Sequence, residues 1–168
     1  MLKRVCSLSA LLVALTACVP VPVVLPAPAG GGAAVSRQAS ALPSNSPSRP
    51  AFHQALNDLR RQAGARPVTA SRDLDVVAAR YAAEIARTGR LAHRDRLGRN
   101  ATGRVRAAGV STCPAGENLA RGYQTALRAF SGWTASPAHR ANMTHPRYAN
   151  YGIGQSGDVW VMVLLYPC

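Results

Sequence analysis

The sequence predicts an α+β fold over residues 51–168, with helices first, strands last, and the helices packed over a small, mostly antiparallel sheet. Three observations carry this expectation. Apolar residues recur at helical spacing from Phe52 to Ile85. Capping signals bracket each such stretch. The chain then closes on residues 159–166, a continuous apolar run of the kind found in strands covered on both faces.

The elements follow in order. The first helix runs from residue 51 with Phe52, Ala55, Leu56, Leu59 and Ala63 on one face; Ser48 and Pro50 start it and Gly64 stops it. On it, Asn57 and Arg60 at i and i+3 are expected to form a structural hydrogen-bonding pair, and His53 to face solvent. The second helix opens at Ser71, with Asp73 and Asp75 in the first turn, where the helix dipole favours acids. Leu74, Val77, Ala78, Tyr81, Ala82 and Ile85 make its buried stripe, and Gly89 ends it. A third helix follows Asn100 and ends near Gly109. A fourth spans residues 125–133 and buries Ala126, Phe130 and Trp133. Ser136-Pro137 then reads as N-cap and N1 of a one- or two-turn helix, which puts His139 at N3. Two strand candidates close the chain, residues 151–155 and residues 159–166. No internal repeat is present. About 118 residues suffice for one hydrophobic core.

The first fifty residues have a different character. Lys3 and Arg4 form a basic start, and residues 6–17 form a short apolar stretch that Pro20 and Pro22 end well before the roughly 20 residues a spanning helix needs. Residues 1–17 are therefore expected to be a secretory signal. Leu15-Thr16-Ala17-Cys18 looks like a bacterial lipobox, in which Cys18 takes the lipid; the alternative is an ordinary signal peptidase site after Ala27-Pro28-Ala29. Diacyl or triacyl modification would hold the protein on a membrane face. Residues 18–50 carry seven of the twelve prolines, Gly30-Gly31-Gly32 and a Ser-rich stretch, a composition too poor in apolar surface to order itself. They are expected to be a tether.

Four cysteines remain to be placed. Cys6 leaves with the signal and Cys18 takes the lipid, so Cys113 and Cys168 are left as a pair in an oxidising compartment, where a disulfide is expected. Without Lys3 and Arg4, eighteen arginines face seven acids, a net charge of +11. Such a charge attracts anionic lipid headgroups or cell-wall polymers. Nucleic acid is not an expected partner, since an exported protein rarely meets it and no arginine-rich helix with interleaved aromatics is present.

The sequence contains no HExxH, P-loop, GxGxxG or GxSxG motif. The polar residues of interest are His93, Glu117 and His139, and their spacing alone implies nothing. Their surroundings carry more. Leu91-Ala92-His93-Arg94-Asp95, Gly116-Glu117-Asn118-Leu119-Ala120, and the segment from Trp133 through Ser136-Pro137-Ala138-His139 to Met143 resemble, in order, the signatures of the CAP superfamily (cysteine-rich secretory proteins, antigen 5, pathogenesis-related proteins). Leu56-Asn57-Asp58-Leu59-Arg60 is similar to its first-helix signature and Tyr151-Gly152-Ile153-Gly154 to the strand after the second histidine. The Ser-Pro before His139 is the form of the bacterial SCP-like branch.

The resemblance implies an α-β-α sandwich over residues 51–168, with a cleft lined by His93, Glu117 and His139. The family usually adds a second acid just after the helix tryptophan. Here Trp133 is followed by Thr134, Ala135 and Ser136, and no acid occurs between Glu117 and Asp158. Three functions stay open at this point. The first is a binding module for lipid, glycan or peptide on an exported envelope lipoprotein, or a secreted protein if Cys18 is not modified. The second is a water-based, protease-like hydrolase using His93, Glu117 and His139, with or without zinc or another divalent metal: the carboxylate either joins or orients the two imidazoles or acts as base toward water polarised at them. The third is a structural envelope protein in which the three residues form only a hydrogen-bond network. Asn118 is expected to orient a neighbouring loop, His139 to be biased toward its neutral form by the helix start, and His145 to be a surface residue.

Overall fold

The last strand organises the fold. In the computed structural model, which describes residues 40–41 and 48–168, β5 (Val159–Leu165) is buried along its whole length. Side chains alternate across a strand. Trp160, Met162 and Leu164 therefore enter one apolar cluster, while Val159, Val161, Val163 and Leu165 enter another on the opposite face. The first cluster is completed by α1 (Ser48–Gln62), α4 (Ala126–Ala135) and α5 (Pro137–Thr144), the second by α2 (Arg72–Thr88) and α3 (Ala101–Ala107). The result is the three-layer α-β-α arrangement expected.

The sheet runs β1 (Ser40–Ala41), β4 (Asn150–Ser156), β5 and β3 (Ala115–Arg121), with β2 (Thr69–Ala70) also paired to β4. Every pairing is antiparallel except β2 with β4. Three helices carry side-chain N-caps, whereas Ser136, expected to cap α5, makes no side-chain capping bond. Ser71 Oγ accepts from Leu74 N–H at 3.4 Å, Asn100 Oδ1 from Gly103 N–H at 2.9 Å, and Thr125 Oγ1 from Arg128 N–H at 3.2 Å. Gly89 closes α2 in the left-handed conformation at φ 73°.

Gly152 and Gly154 on β4 explain how α2 lies so close to the sheet. A Cβ at Gly154 would sit 2.1 Å from the Ala79 nitrogen, and one at Gly152 would sit 2.2 Å from the Leu74 carbonyl carbon. Ile153 between them points into the other cluster. Beside it, buried Asp75 accepts from Ile153 N–H at 2.8 Å and pairs with Arg49 at 2.6 Å.

Four expectations need correction. Strand β3 lies in the middle of the chain, so the strands are not all last; its sequence, Ala-Gly-Glu-Asn-Leu-Ala-Arg, is poor in the β-branched and aromatic residues that mark strands. Ala63 lies beyond the end of α1 and is exposed. His53 is half-buried, with Nδ1 3.2 Å from the Tyr151 hydroxyl and Nε2 3.2 Å from Asn57 Nδ2. Asn57 and Arg60 are both structural, but each binds backbone rather than the other: Asn57 exchanges hydrogen bonds with Val68, and Arg60 donates to the carbonyls of Arg66, Met143, His145 and Tyr148.

Ordered structure also starts ahead of residue 51, at β1 and at Ser48. The signal segment, Cys18 and most of the Pro/Gly/Ser-rich stretch lie outside the described residues. Among the described residues no helix is long and apolar enough to cross a membrane. Cys113 and Cys168 form a disulfide, with Cα atoms 5.5 Å apart, that ties the last residue to the approach to β3.

Candidate functional site

Strand β3 is an edge strand, and its alternation builds the site. Glu117 points to the α2/α3 side and Asn118 to the α4/α5 side, so each holds one histidine near the same open edge.

On the first side, His93 Nδ1 donates to Glu117 Oε1 at 3.0 Å. The imidazole is 63% exposed while the carboxylate is only 3% exposed. The other carboxylate oxygen, Oε2, accepts from Arg104 of α3. Arg104 also donates to the Arg99 carbonyl at 2.8 Å and the His93 carbonyl at 3.4 Å, and its guanidinium carbon lies 3.5 Å over the centre of the Tyr81 ring. Its Nε is buried and has no hydrogen-bond partner among the described residues.

The loop carrying His93 is tied down from several sides. Buried Asp95 accepts from Leu97 N–H, Arg99 N–H and Arg99 Nε at 2.9, 2.8 and 2.7 Å. Burial pushes its carboxyl up, but the bonds from Arg99 and Leu97 outweigh this and hold it below the usual carboxylate value. The Tyr81 hydroxyl donates to the Ala92 carbonyl.

On the second side, Asn118 Nδ2 donates to the His139 carbonyl at 3.1 Å, and Asn118 Oδ1 accepts from Asn142 Nδ2 at 2.8 Å. Asn142 Oδ1 accepts from the Tyr148 hydroxyl at 2.9 Å. That hydroxyl occupies the space a Cβ on residue 116 would need, 2.0 Å away, which is why the residue before Glu117 is glycine. Trp133 Nε1 donates to the Leu119 carbonyl at 3.0 Å and fixes α4 to the same strand. Asn118 thus clamps α5, which presents His139 from its first turn. The His139 ring is half-buried and has no hydrogen-bond partner among the described residues.

The two histidines titrate in opposite directions. The hydrogen bond to Glu117 raises His93 above its ordinary value. His139 is lowered, first by burial and then by the charge of His93. The neutral bias expected of His139 is present, with desolvation and a neighbouring cation as its causes.

This donor set does not fit a resident zinc ion. Zinc takes four protein ligands in structural sites and three in catalytic ones. Here two imidazoles are available, while both oxygens of Glu117 are already engaged. Among the described residues no group of three or more His, Cys, Asp or Glu side chains could hold a metal ion.

The structure thus brings His93, Glu117 and His139 to one strand edge. Sequence reasoning missed Arg104. A signal existed, because Arg104 stands three residues after Ala101 and one before Val105, on the inward stripe of its helix. His145 is half-buried rather than fully on the surface, stacked on Tyr166 with ring centres 5.4 Å apart.

The fold and the sequence have known relatives. The family model described as "CAP: Cysteine-rich secretory protein family" matches residues 53–163. A Bacillus subtilis protein, described as the uncharacterized protein YkwD, is 37% identical over 54 residues, which make up 31% of this chain and 21% of that protein. Among solved structures, an extracellular protein containing an SCP domain from Bacillus anthracis superposes with a TM-score of 0.66 at 18% identity, over 70% of this chain and 40% of that one. An outer surface protein from Borrelia burgdorferi gives 0.61 at 17% identity, over 71% and 92%. A cysteine-rich secretory protein from Staphylococcus aureus gives 0.59 at 16% identity, over 70% and 37%. The chain therefore spans about a fifth of the curated relative, and these structural likenesses speak to fold.

Proposed function

The chain belongs to the cysteine-rich secretory protein (CAP) family, and from that premise we propose an exported envelope protein whose His93–Glu117–His139 cleft binds a ligand without hydrolysing it. One observation carries the binding reading: Glu117 is committed. Its side chain is 3% exposed, one oxygen receives His93 and the other receives Arg104. A general base must reach the proton it takes, and this carboxylate has no free oxygen facing solvent. No other acid lies between residues 117 and 158 to replace it.

Export rests on the signal-like residues 1–17 and on the disulfide, and it agrees with the extracellular and surface descriptions of the similar proteins. Anchoring through lipid at Cys18 rests on the lipobox resemblance alone. The ligand class fitting the site is a lipid headgroup, glycan or peptide that offers an acceptor to His93, whose pKa is raised by Glu117, and a donor to His139, whose pKa is lowered by burial.

A second reading has one observation in its favour. The His139 ring is neutral-biased and unengaged, so it is the group through which a water-based hydrolysis would have to run.

The test uses one probe of each class: dihexanoyl phosphatidylglycerol, a cell-wall disaccharide tetrapeptide, and a casein peptide. Ring resonances of His93 and His139 are followed by NMR while mass spectrometry follows the probe. The binding reading expects one probe to shift both rings saturably and to be recovered intact. Turnover of a probe that disappears in a folded His139→Ala variant would establish the hydrolase instead.

A further inference from the structure

The loop carrying His93 has a second feature that the cleft does not use. Four large hydrophobic side chains are conspicuously exposed among the described residues, and two of them, Leu91 at 46% and Leu97 at 65%, are in this loop. They are not left over from a poorly packed segment. Asp95 closes the turn around them, Glu84 accepts from Arg96 N–H at 2.8 Å, Arg94 donates to the Gly98 carbonyl at 2.8 Å, and Arg104 holds the Arg99 carbonyl. The leucines are held out into solvent by a rigid frame.

Cations surround them. Arg90 precedes Leu91, Arg94 and Arg96 lie between the two leucines, and all three are exposed. Arg80 and Arg87 extend the group along the outer side of α2, and Arg121 joins it by donating to the carbonyls of Gly89 and Ile85. Against these six stand Glu84 and, at the two ends of the group, exposed Asp73 one helical turn before Val76 and Asp158, whose carbonyl accepts from Gly122 N–H beside Arg121; Asp95 is buried and paired with Arg99. Val76, a third exposed hydrophobic at 38%, lies one helical turn before Arg80.

A soluble polyanion would need the arginines but not the leucines. An apolar protein partner would need the leucines but not this excess of cations. A bilayer carrying anionic headgroups uses both: guanidinium groups fork onto phosphate, and apolar side chains enter the boundary between headgroups and acyl chains.

We propose that the loop at residues 89–99, with the adjoining side of α2, docks the domain onto an anionic phospholipid surface, with Leu91 and Leu97 entering the membrane interface and Arg90, Arg94 and Arg96 on lipid phosphates. His93 lies between the two leucines in sequence, so docking would bring the loop that carries it to the headgroups. This extends the binding reading and stands independently of it, since a docked domain can have an empty cleft.

The native tryptophans, Trp133 and Trp160, are each 1% exposed, so a Leu97→Trp variant of the full chain places a reporter at the surface against buried background emission. In vesicles of phosphatidylcholine mixed with phosphatidylglycerol, its emission is expected to shift to the blue and to be quenched by acyl-brominated lipid. Phosphatidylcholine alone is expected to do neither. Adding Arg90→Ser, Arg94→Ser and Arg96→Ser to that variant should raise the lipid concentration for half-quenching on the order of 100-fold, and adding Leu91→Ser should raise it about tenfold.

Because the reporter is local, retention of the chain on vesicles by its N-terminal residues does not imitate the result. No quenching in mixed vesicles, or equal quenching in phosphatidylcholine alone, would overturn the proposal. So would the same blue shift on addition of soluble polyphosphate, which would assign the surface to a polyanion. Probe binding at the cleft with no quenching at residue 97 would sink the docking proposal and leave the binding reading intact; the reverse outcome would do the opposite.

Discussion

Replacing Arg104 by methionine isolates what holds the site together. Methionine keeps the unbranched apolar stem but ends short of the guanidinium, so it removes the charge, every donor and the contact over Tyr81. The change leaves the Glu117 carboxylate, 3% exposed, with a single partner that is itself 63% exposed. Breaking a buried ion pair from one side costs about 3–5 kcal/mol, because an uncompensated charge stays behind. The carbonyls of His93 and Arg99 lose a donor as well, each worth about 1 kcal/mol. These costs overlap, and a net loss of about 4 kcal/mol is expected. For a domain of this size each kcal/mol moves the melting temperature by about 3–5 °C, giving a fall of about 12–20 °C by calorimetry or circular dichroism. The partner measurement is Arg104→Met with Glu117→Gln. Removing both charges should recover about 2 kcal/mol relative to adding the two single losses. A fall of less than about 3 °C for Arg104→Met, or simple additivity in the double variant, would refute the claim that Glu117 is held by Arg104.

Three further outcomes follow from the geometry. In a pH titration by NMR, His93 should protonate above the ordinary histidine value of 6.5 and His139 below it, and Glu117→Gln should bring His93 back down. The stability that the raised His93 contributes is present in full below about pH 6.5 and is lost as pH rises through its folded midpoint; for His139 it is present above about pH 6.5 and lost as pH falls through the lowered midpoint. Thermal melts of Glu117→Gln and wild type should therefore differ more at about pH 5.5 than at about pH 8.5. Cys168→Ser, which opens the link across 55 residues, should cost about 2–4 kcal/mol in denaturant melts, and a reductant should then have no further effect. Gly154→Ala pushes a methyl to within 2.1 Å of the Ala79 nitrogen, so α2 must lift from the sheet, and a loss of about 3 kcal/mol or more is expected in the same melts.

Much of the fold was legible because its signals are local. The helix starts at Ser71 and Asn100, the stop at Gly89 and the apolar stripe of α2 each act within a few residues, and the buried run Val159–Leu165 has no polar side to be misread. Strand β3 was not legible, because what makes it a strand is pairing with β5 rather than its own composition. The same non-locality hid Arg104 and the burial of His53. Their partners, Glu117 and Tyr151, are 13 and 98 residues away, and no pattern in the chain announces them. The site residues themselves were found through family resemblance. Their roles were not, since whether Glu117 is a free base or a committed acceptor depends on a side chain the motifs do not include.

The most direct test of that commitment is zinc titration calorimetry on the full chain, wild type beside His93→Ala and His139→Ala. With both Glu117 oxygens engaged, only two imidazoles remain to offer, and the expected result is no binding tighter than about 100 μM in any of the three proteins. Micromolar or tighter binding in the wild type, lost in both variants, would show that Glu117 leaves Arg104 to complete a metal site. That result would contradict the binding reading and point to metal-assisted hydrolysis.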